Sequence, residues 1–482
     1  MESILQLLQP FLPVEVSQTY ADYDVYELFA KKTNEQIGMY TLNQQGELAN
    51  FSLEGEAVAG NLSKQELVSV ADKFIETFHP DKKDQYELSA IMDFDNPYMI
   101  SYEKRDEKYG LFLHSEGFTV SVASNGQIQQ FFYEKEEYQI IYPDTIISEE
   151  KALEAYMEHL SFDLTITKFD KEVFKNGDNQ IHLSYNVNEH VFDIPADGGK
   201  PDILKEELDW KTISPQVAPK DELYELIGVT SEHKQLEVIE EENKTIECWS
   251  LREATRPVNS DMDEVDAHII KLCFGQKSGH LLQVTNGEQV DQDRNEIGME
   301  EAKQKALDVM FKLFPDADKR FRLEVLEDHV DEDDHLFEEE NHEGLEESFE
   351  EESEEDESSL EDNYTFYFHL IFNGVRVDDC VSIIGVGKHS GRVNHFQLNV
   401  LEEAYYQELP GKPVISQEEV KRMYKDLIKM ELVFVREYDE NYQALYTLSY
   451  GPSFPATVGH VRAIDAITGK AMYVDVGDAT FY

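Results

Sequence analysis

The chain has 482 residues, 41% of them apolar, with 27 Phe and 25 Tyr, which is ample for real cores and too long for a single ordinary one. Its 42 basic residues face 100 acidic ones, a formal charge of −58, which excludes nucleic acid and anionic membrane as partners because affinity for both rests on Lys and Arg. Cys248, Cys273 and Cys380 are odd in number and lack CxxC spacing, which excludes a disulfide framework and a structural zinc site and leaves reduced core thiols.

Residues 1–9 read as a short amphipathic helix stopped by Pro10. They carry no basic n-region, so no signal peptide is expected, and no later run approaches the roughly 20 apolar residues of a spanning helix. The expected compartment is the cytoplasm. Asp24–Phe29 alternates with period two, and Gly38–Phe51 reads as strand, turn at Gly46, strand. Ser63 with Glu66 forms a capping box, and Leu67, Val70, Ala71, Phe74, Ile75 and Phe78 then fall on one helical face that Pro80 ends. Strands follow near 86–93, 98–104 and 118–123, the last turning at Asn125-Gly126 into Ile128–Tyr133. A second helix starts at Ser148 and buries Ala152, Leu153, Tyr156 and Leu160. Strands near 164–169, 181–187 and 190–194 close the unit at Asp197-Gly-Gly-Lys200.

Residues 201–230 are polar, carry Pro201, Pro215 and Pro219, and read as a linker. The same order of elements then returns. Gln235–Ile239, Ile246–Leu251 and Ala267–Phe274 are strand-like, and a turn at Ser278-Gly279 leads to His280–Val284. A helix over Gly298–Phe314 ends at Pro315; strands at 364–372 and 379–386 lead through Ser390-Gly391 into Arg392–Leu398. The second helix begins at Ser416, and strands near 432–437, 443–450 and 460–466 reach the turn Ile467-Thr-Gly-Lys470. Gly46 and Gly279 are 233 positions apart, Pro80 and Pro315 235, Gly126 and Gly391 265, Ser148 and Ser416 268, and Lys200 and Lys470 270. The spacing jumps once, where the second half carries an acidic block. That block has 21 Asp or Glu between Glu327 and Asp362 and no Lys or Arg, so 328–362 is expected as a disordered insertion. The expected organisation is a first module over 1–200, the linker over 201–230, and a second module over 231–482.

No G-x-S-x-G, H-E-x-x-H, P-loop or strand-following G-x-G-x-x-G occurs. Gly385-Val-Gly-Lys388 echoes a P-loop but lacks its first glycine and places His389 where Ser or Thr must hold magnesium, so it reads as a strand end. Asp291-Gln-Asp-Arg-Asn295 resembles half of a calcium loop, yet Glu296 stands where Gly is needed and Ala302 where a bidentate Glu is needed. His329, His335 and His342 sit in the acidic block and read as part of a solvated run. Asp465, beside a Thr-Gly turn, reads as an acceptor of backbone hydrogen bonds. No catalytic, cofactor-binding or metal-binding residue is assigned.

The ordered helix, strand and hairpin units, with Phe118-Thr-Val-Ser-Val-Ala-Ser-Asn-Gly-Gln-Ile128 in one half and Val461-Arg-Ala-Ile-Asp-Ala-Ile-Thr-Gly-Lys470 in the other, resemble the YcdB/YcdC repeat family of Gram-positive, spore-forming bacteria. Each sub-unit, a helix followed by a small antiparallel sheet with a V-D-x-x-T-G-x turn, is also similar to PepSY domains, which occur in metallopeptidase propeptides and extracytoplasmic regulatory proteins. Asp197-Gly198-Gly199 departs from the Thr-Gly pattern in the first half. The resemblance implies an α+β fold of two homologous modules, each with two PepSY-like sub-units. It also implies a non-catalytic binding or regulatory protein with a protein or peptide partner, including inhibition of a peptidase. Two other classes stay open: an acidic stress or structural protein that binds cations weakly, and an unrecognised hydrolase, which needs a deep pocket with converging polar groups.

Overall fold

The computed structural model describes residues 4–21, 24–94, 96–204, 210–253, 258–290, 295–324, 361–457, 459–474 and 480–481. After a one-turn helix α1 (Ile4–Leu8) come strands β1 (Val16–Tyr20), β2 (Val25–Ala30), β3 (Gln36–Leu42) and β4 (Leu48–Leu53), helix α2 (Lys64–Phe78), and strands β5 (Glu87–Asp93), β6 (Tyr98–Arg105), β7 (Phe112–Val122) and β8 (Ile128–Glu134). Then follow β9 (Tyr138–Ile141), α3 (Glu149–Glu158), β10 (Leu160–Lys168), β11 (Ile181–Glu189), β12 (Ile194–Pro195), β13 (Trp210–Thr212) and the short α4 (Leu223–Leu226).

A second series has β14 (Lys234–Glu240), β15 (Lys244–Ser250), β16 (Ile270–Gly275), β17 (Leu281–Asn286), α5 (Met299–Leu313), α6 (Ala317–Arg320), β18 (Phe321–Glu324), β19 (Asn363–Phe372), β20 (Val375–Gly387) and β21 (Val393–Gln397). The chain closes with α7 (Gln417–Leu427), β22 (Lys429–Tyr438), β23 (Ala444–Ser453), β24 (His460–Asp465), β25 (Ala471–Val474) and β26 (Thr480–Phe481). The fold is α+β, mostly strand. The expected insertion 328–362 lies outside the described residues apart from Glu361 and Asp362.

Helix starts follow local chemistry. Ser63 accepts from the Glu66 N–H while the Glu66 carboxylate accepts from the Ser63 N–H, and Ser416 with Glu419 repeats the arrangement. Ser148 caps α3 through the Lys151 N–H alone, because a lysine at the third helical position has no acceptor to return. In α2 the residues at helical spacing, Leu67, Ala71, Phe74 and Ile75, are buried, whereas Val70 and Phe78 sit at the edge of that face.

The strands form three sheets. The first runs β1-β2-β3-β4-β8-β7-β6-β5-β26, so the eighth strand closes back on the fourth. The same order recurs in the second sheet as β14-β15-β16-β17-β21-β20-β19-β18, and there β13 lies against β18 as β26 lies against β5. Each eight-strand run has its long helix, α2 or α5, between the fourth and fifth strands. The second sheet continues beyond β20 into β10, β11, β24 and β25, through a parallel contact of Thr165-Ile166 with Arg376-Val377. The third sheet holds β12, β23, β22 and β9.

The closing strands are exchanged between halves. In β11, Tyr185 pairs with Ile464 of β24, and in β23, Tyr450 pairs with Ile194 of β12. The flanking bonds match: Ala466 N donates to Leu183 O at 2.8 Å, and Ala196 N donates to Leu448 O at 2.9 Å. The strand expected at 190–194 therefore shrinks to Ile194–Pro195, and among the described residues no return strand directly follows the Asp197–Lys200 turn. Pro195 and Pro201 lack the N–H groups that a continuing ladder needs, so the chain leaves the sheet there.

Two large apolar clusters fill the interior. One gathers Leu8, Phe51, Phe74, Phe118 and Phe131 under the first sheet. The other runs from Leu113 through Tyr156, Phe311, Phe366 and Tyr424 to Ala466. The changeover falls near β9, well before 201–230, the segment expected as a linker, whose Ile213, Ile227 and Val229 are buried in the second cluster.

Candidate peptide-binding groove

Strand β23 carries Ala444, Tyr446 and Leu448 into the interior at alternate positions, and β22 pairs along its whole length, from Lys429 opposite Ser453 to Tyr438 opposite Ala444. Its other edge is divided. Strand β9 runs parallel to Ala444–Thr447, and β12 runs antiparallel to Ser449-Tyr450. Alternation in β9 sends Tyr138 onto the Tyr446 ring, edge to face at 5.3 Å, and leaves Gln139 and Ile141 exposed. Among the described residues β9 has no strand partner except β23, so its outer edge is unpaired.

Where β9 and β12 meet, a groove of about 470 Å³ opens over Ile141, Pro143, Phe192, Val435 and Thr447. Phe192 is 71% exposed because Val191 and Ile194 are both in the core, which turns the two residues between them outward. A Phe left in water forgoes roughly 1.5–3 kcal/mol of burial. Asp193, Asp197, Asp202 and Glu437 stand at the rim with Lys200. The turn beneath them is held by Gly199 N donating to Asp197 Oδ1 at 2.7 Å and by Gly198 at φ 81°, a conformation glycine adopts freely. A second cleft, about 350 Å³ between α3 and α7, is lined mainly by charged residues, among them Glu154, Glu158, Lys421 and Arg422.

Asp465 is buried and accepts from Ile467 N at 2.9 Å and Thr468 N at 2.7 Å, as a turn-making aspartate does. It also accepts from His182 Nδ1 at 2.7 Å. Gly385–Lys388 closes strand β20, and the turn after it binds an internal anion. His389 N and Ser390 N donate to Glu361 at 2.7 and 2.8 Å, Asn394 Nδ2 donates at 3.0 Å, and the Ser390 hydroxyl donates as well. A Cβ on Gly387 would fall 2.0 Å from Glu361 Oε1, so only glycine leaves room for that carboxylate.

Cys248, Cys273 and Cys380 are free and buried, and burial pushes the Cys248 and Cys380 thiols up to about 11. Asp291–Arg294 and His329, His335 and His342 lie outside the described residues. Among the described residues no group of three or more His, Cys, Asp or Glu is placed to hold a metal ion, and no helix is long and apolar enough to cross a membrane. Sequence reasoning did not single out Phe192 or β9. The signal within reach was Pro195, which confines any strand containing it to an edge.

Residues 17–135 match the family model described as "YcdB, YcdC repeated domain". The chain is 25% identical over 473 residues to "Uncharacterized protein YcdB" of Bacillus subtilis, covering 92% of this chain and 90% of that protein. It is 21% identical over 436 residues to "Uncharacterized protein YcdC" of the same organism, with 87% of each covered. The solved "Bacillus megaterium YpeB C-terminal domain" aligns at 17% identity over 42% of this chain and 95% of that one, with a TM-score of 0.26, below the level of a shared overall fold. The chain carries the YcdB, YcdC repeated domain and is homologous to B. subtilis YcdB and YcdC.

Proposed function

We propose that the protein is a non-catalytic binding or regulatory protein built from two homologous modules of PepSY-like sub-units. Its site takes an extended segment of a peptide or protein along the free edge of β9 and over Phe192. The observation that carries this reading is the exposed Phe192 ring beside an unpaired four-residue strand edge. Main-chain bonds to such an edge supply affinity for any extended segment, and the apolar floor selects a side chain from it. The recurrence of strand order supports the duplication, as does the placement of Trp210 of β13 and Thr480 of β26 at a spacing of 270, the same as Lys200 and Lys470. A segment held in this way is protected from cleavage, and a site of this kind on a partner peptidase's own strand inhibits it, as PepSY-type propeptides do.

The test is hydrogen exchange with a degenerate library of extended peptides. Amides of Tyr138–Ile141 become protected on binding, and Phe192→Ala removes the protection without lowering the unfolding midpoint. No protection with any peptide, or identical protection in Phe192→Ala, refutes the reading.

A further inference from the structure

The groove also carries a charge pattern, and the inference drawn from it rests on the groove reading above. Strand β22 sorts its charges by face. Arg436 turns away from the groove and is held by Glu134 at 2.5 Å and Glu136 at 2.7 Å, while Glu437 turns into it. On the facing segment Asp193, Asp197 and Asp202 line the groove and Lys200 is the one cation of its lining. Asp197 is engaged by the Gly199 N–H. Asp193, Asp202 and Glu437 have no Lys or Arg partner among the described residues, whereas Glu134 and Glu136, outside β22, are paired with its Arg436.

We propose that this groove selects a cationic extended segment of a partner protein, in which Lys or Arg stand among apolar residues. Ile141, Thr447 and Val435 are in register, so Ile141 and Glu437 project to one face, and the side chains that enter the groove meet Phe192 and Ile141 beside the carboxylates of Asp193, Asp202 and Glu437. A Lys or Arg passing over Phe192 gains further from the ring face. Each exposed carboxylate contact contributes about two- to fivefold in affinity. An acidic segment meets unpaired like charges and is rejected, so the rim sets specificity more than strength.

Three fluorescent probes of about ten residues test this, at roughly 3.3 Å per residue enough to cross the groove. They share one sequence in which Phe or Val residues stand among Lys, among Gln, or among Glu on both faces of the strand. The Lys probe binds the intact protein about tenfold tighter than the Gln probe at low salt, the Glu probe does not bind, and added salt narrows the difference. Asp202→Asn with Glu437→Gln removes most of the preference for the Lys probe over the Gln probe. Phe192→Ala weakens both. Equal binding of Lys and Gln probes overturns the charge selection while the groove reading stands. Lys-probe binding that neither variant alters is adventitious association with an acidic surface, and it overturns the inference. Failure of all three probes overturns it together with the groove reading.

Discussion

His182 Nδ1 stands 2.7 Å from Asp465 Oδ2, a contact between residues 283 positions apart that fastens β11 to the turn ending β24. The other ring nitrogen faces Asp178 at 3.1 Å, so the ring bridges two carboxylates. Burial alone would raise the Asp465 carboxyl. The Thr468 and Ile467 N–H groups and His182 outweigh it and hold that carboxyl below the ordinary aspartate value of 3.8.

A group depressed in the folded state contributes stability that is present above its unfolded value and disappears as pH falls through the folded one. Asp465→Asn is therefore expected to cost about 1–3 kcal/mol near neutrality. The deficit shrinks below pH 3.8 as the wild-type carboxylate protonates. Urea titrations across that range check it; a deficit constant with pH contradicts the account.

Lys271 is fully buried, and its Nζ donates to Asp261 O at 2.7 Å and Glu264 O at 2.8 Å and pairs with Asp266 at 2.8 Å. It holds the 261–266 loop against β16. Lys271→Met removes three contacts of a buried ammonium, one of them to the Asp266 carboxylate, and should cost about 3–5 kcal/mol, part of which Asp266→Asn restores in the double variant. Thermal unfolding of the two variants decides it.

Glu361 fills a ready-made cradle. Burial works against its charged form, but Asn394, Ser390 and the backbone of Ser390 and His389 prevail and lower its carboxyl from the ordinary value. Its stabilisation is present above the ordinary glutamate value and is lost in acid below it. Gly387→Ala displaces the carboxylate, and Glu361→Gln keeps its shape but loses the charge. Both are expected to destabilise, by about 1–3 kcal/mol for the Gln variant. The acid limb of the stability curve flattens in each, which pH-dependent denaturation reads directly.

The first apolar cluster is complete within residues 8–133, so a fragment ending at residue 136 is expected to unfold cooperatively by itself. Extending it to 200 adds β10 and β11 without β24, and β12 without β23. That extension should not raise the denaturant slope in proportion to its length. A full proportional rise would show that the first 200 residues are self-sufficient.

Long periodic segments were legible in the sequence. The capping box at Ser63 fixed α2, and Asn125-Gly126 fixed the β7–β8 hairpin, because both signals are local. The strands missed were β1, β9, β13, β18 and β26, five residues or fewer in length, of which β9, β13 and β26 pair with strands from the other half. A two-residue strand such as Ile194–Pro195 has no period to read; Tyr450, far along the chain, defines it. Phe192 escaped for the same reason, since its exposure depends on where β12 docks. Asp465 was legible as a turn-maker from Thr468-Gly469 alone, while its bond to His182 depends on the β11–β24 pairing.

The exchange of closing strands also sets a timetable for synthesis. When residue 195 leaves the ribosome, β12 has nothing to pair with until Tyr450 is made, and Tyr185 waits as long for Ile464. Two unpaired edges are thus carried through more than half of translation, the circumstance in which neighbouring chains pair wrongly. The acidic excess, already 35 Asp or Glu against 14 Lys or Arg by residue 195, keeps such half-made chains apart by repulsion. On this view the acidity protects the growing chain as much as the finished one, and the last strands to be made are the ones that lock the first half.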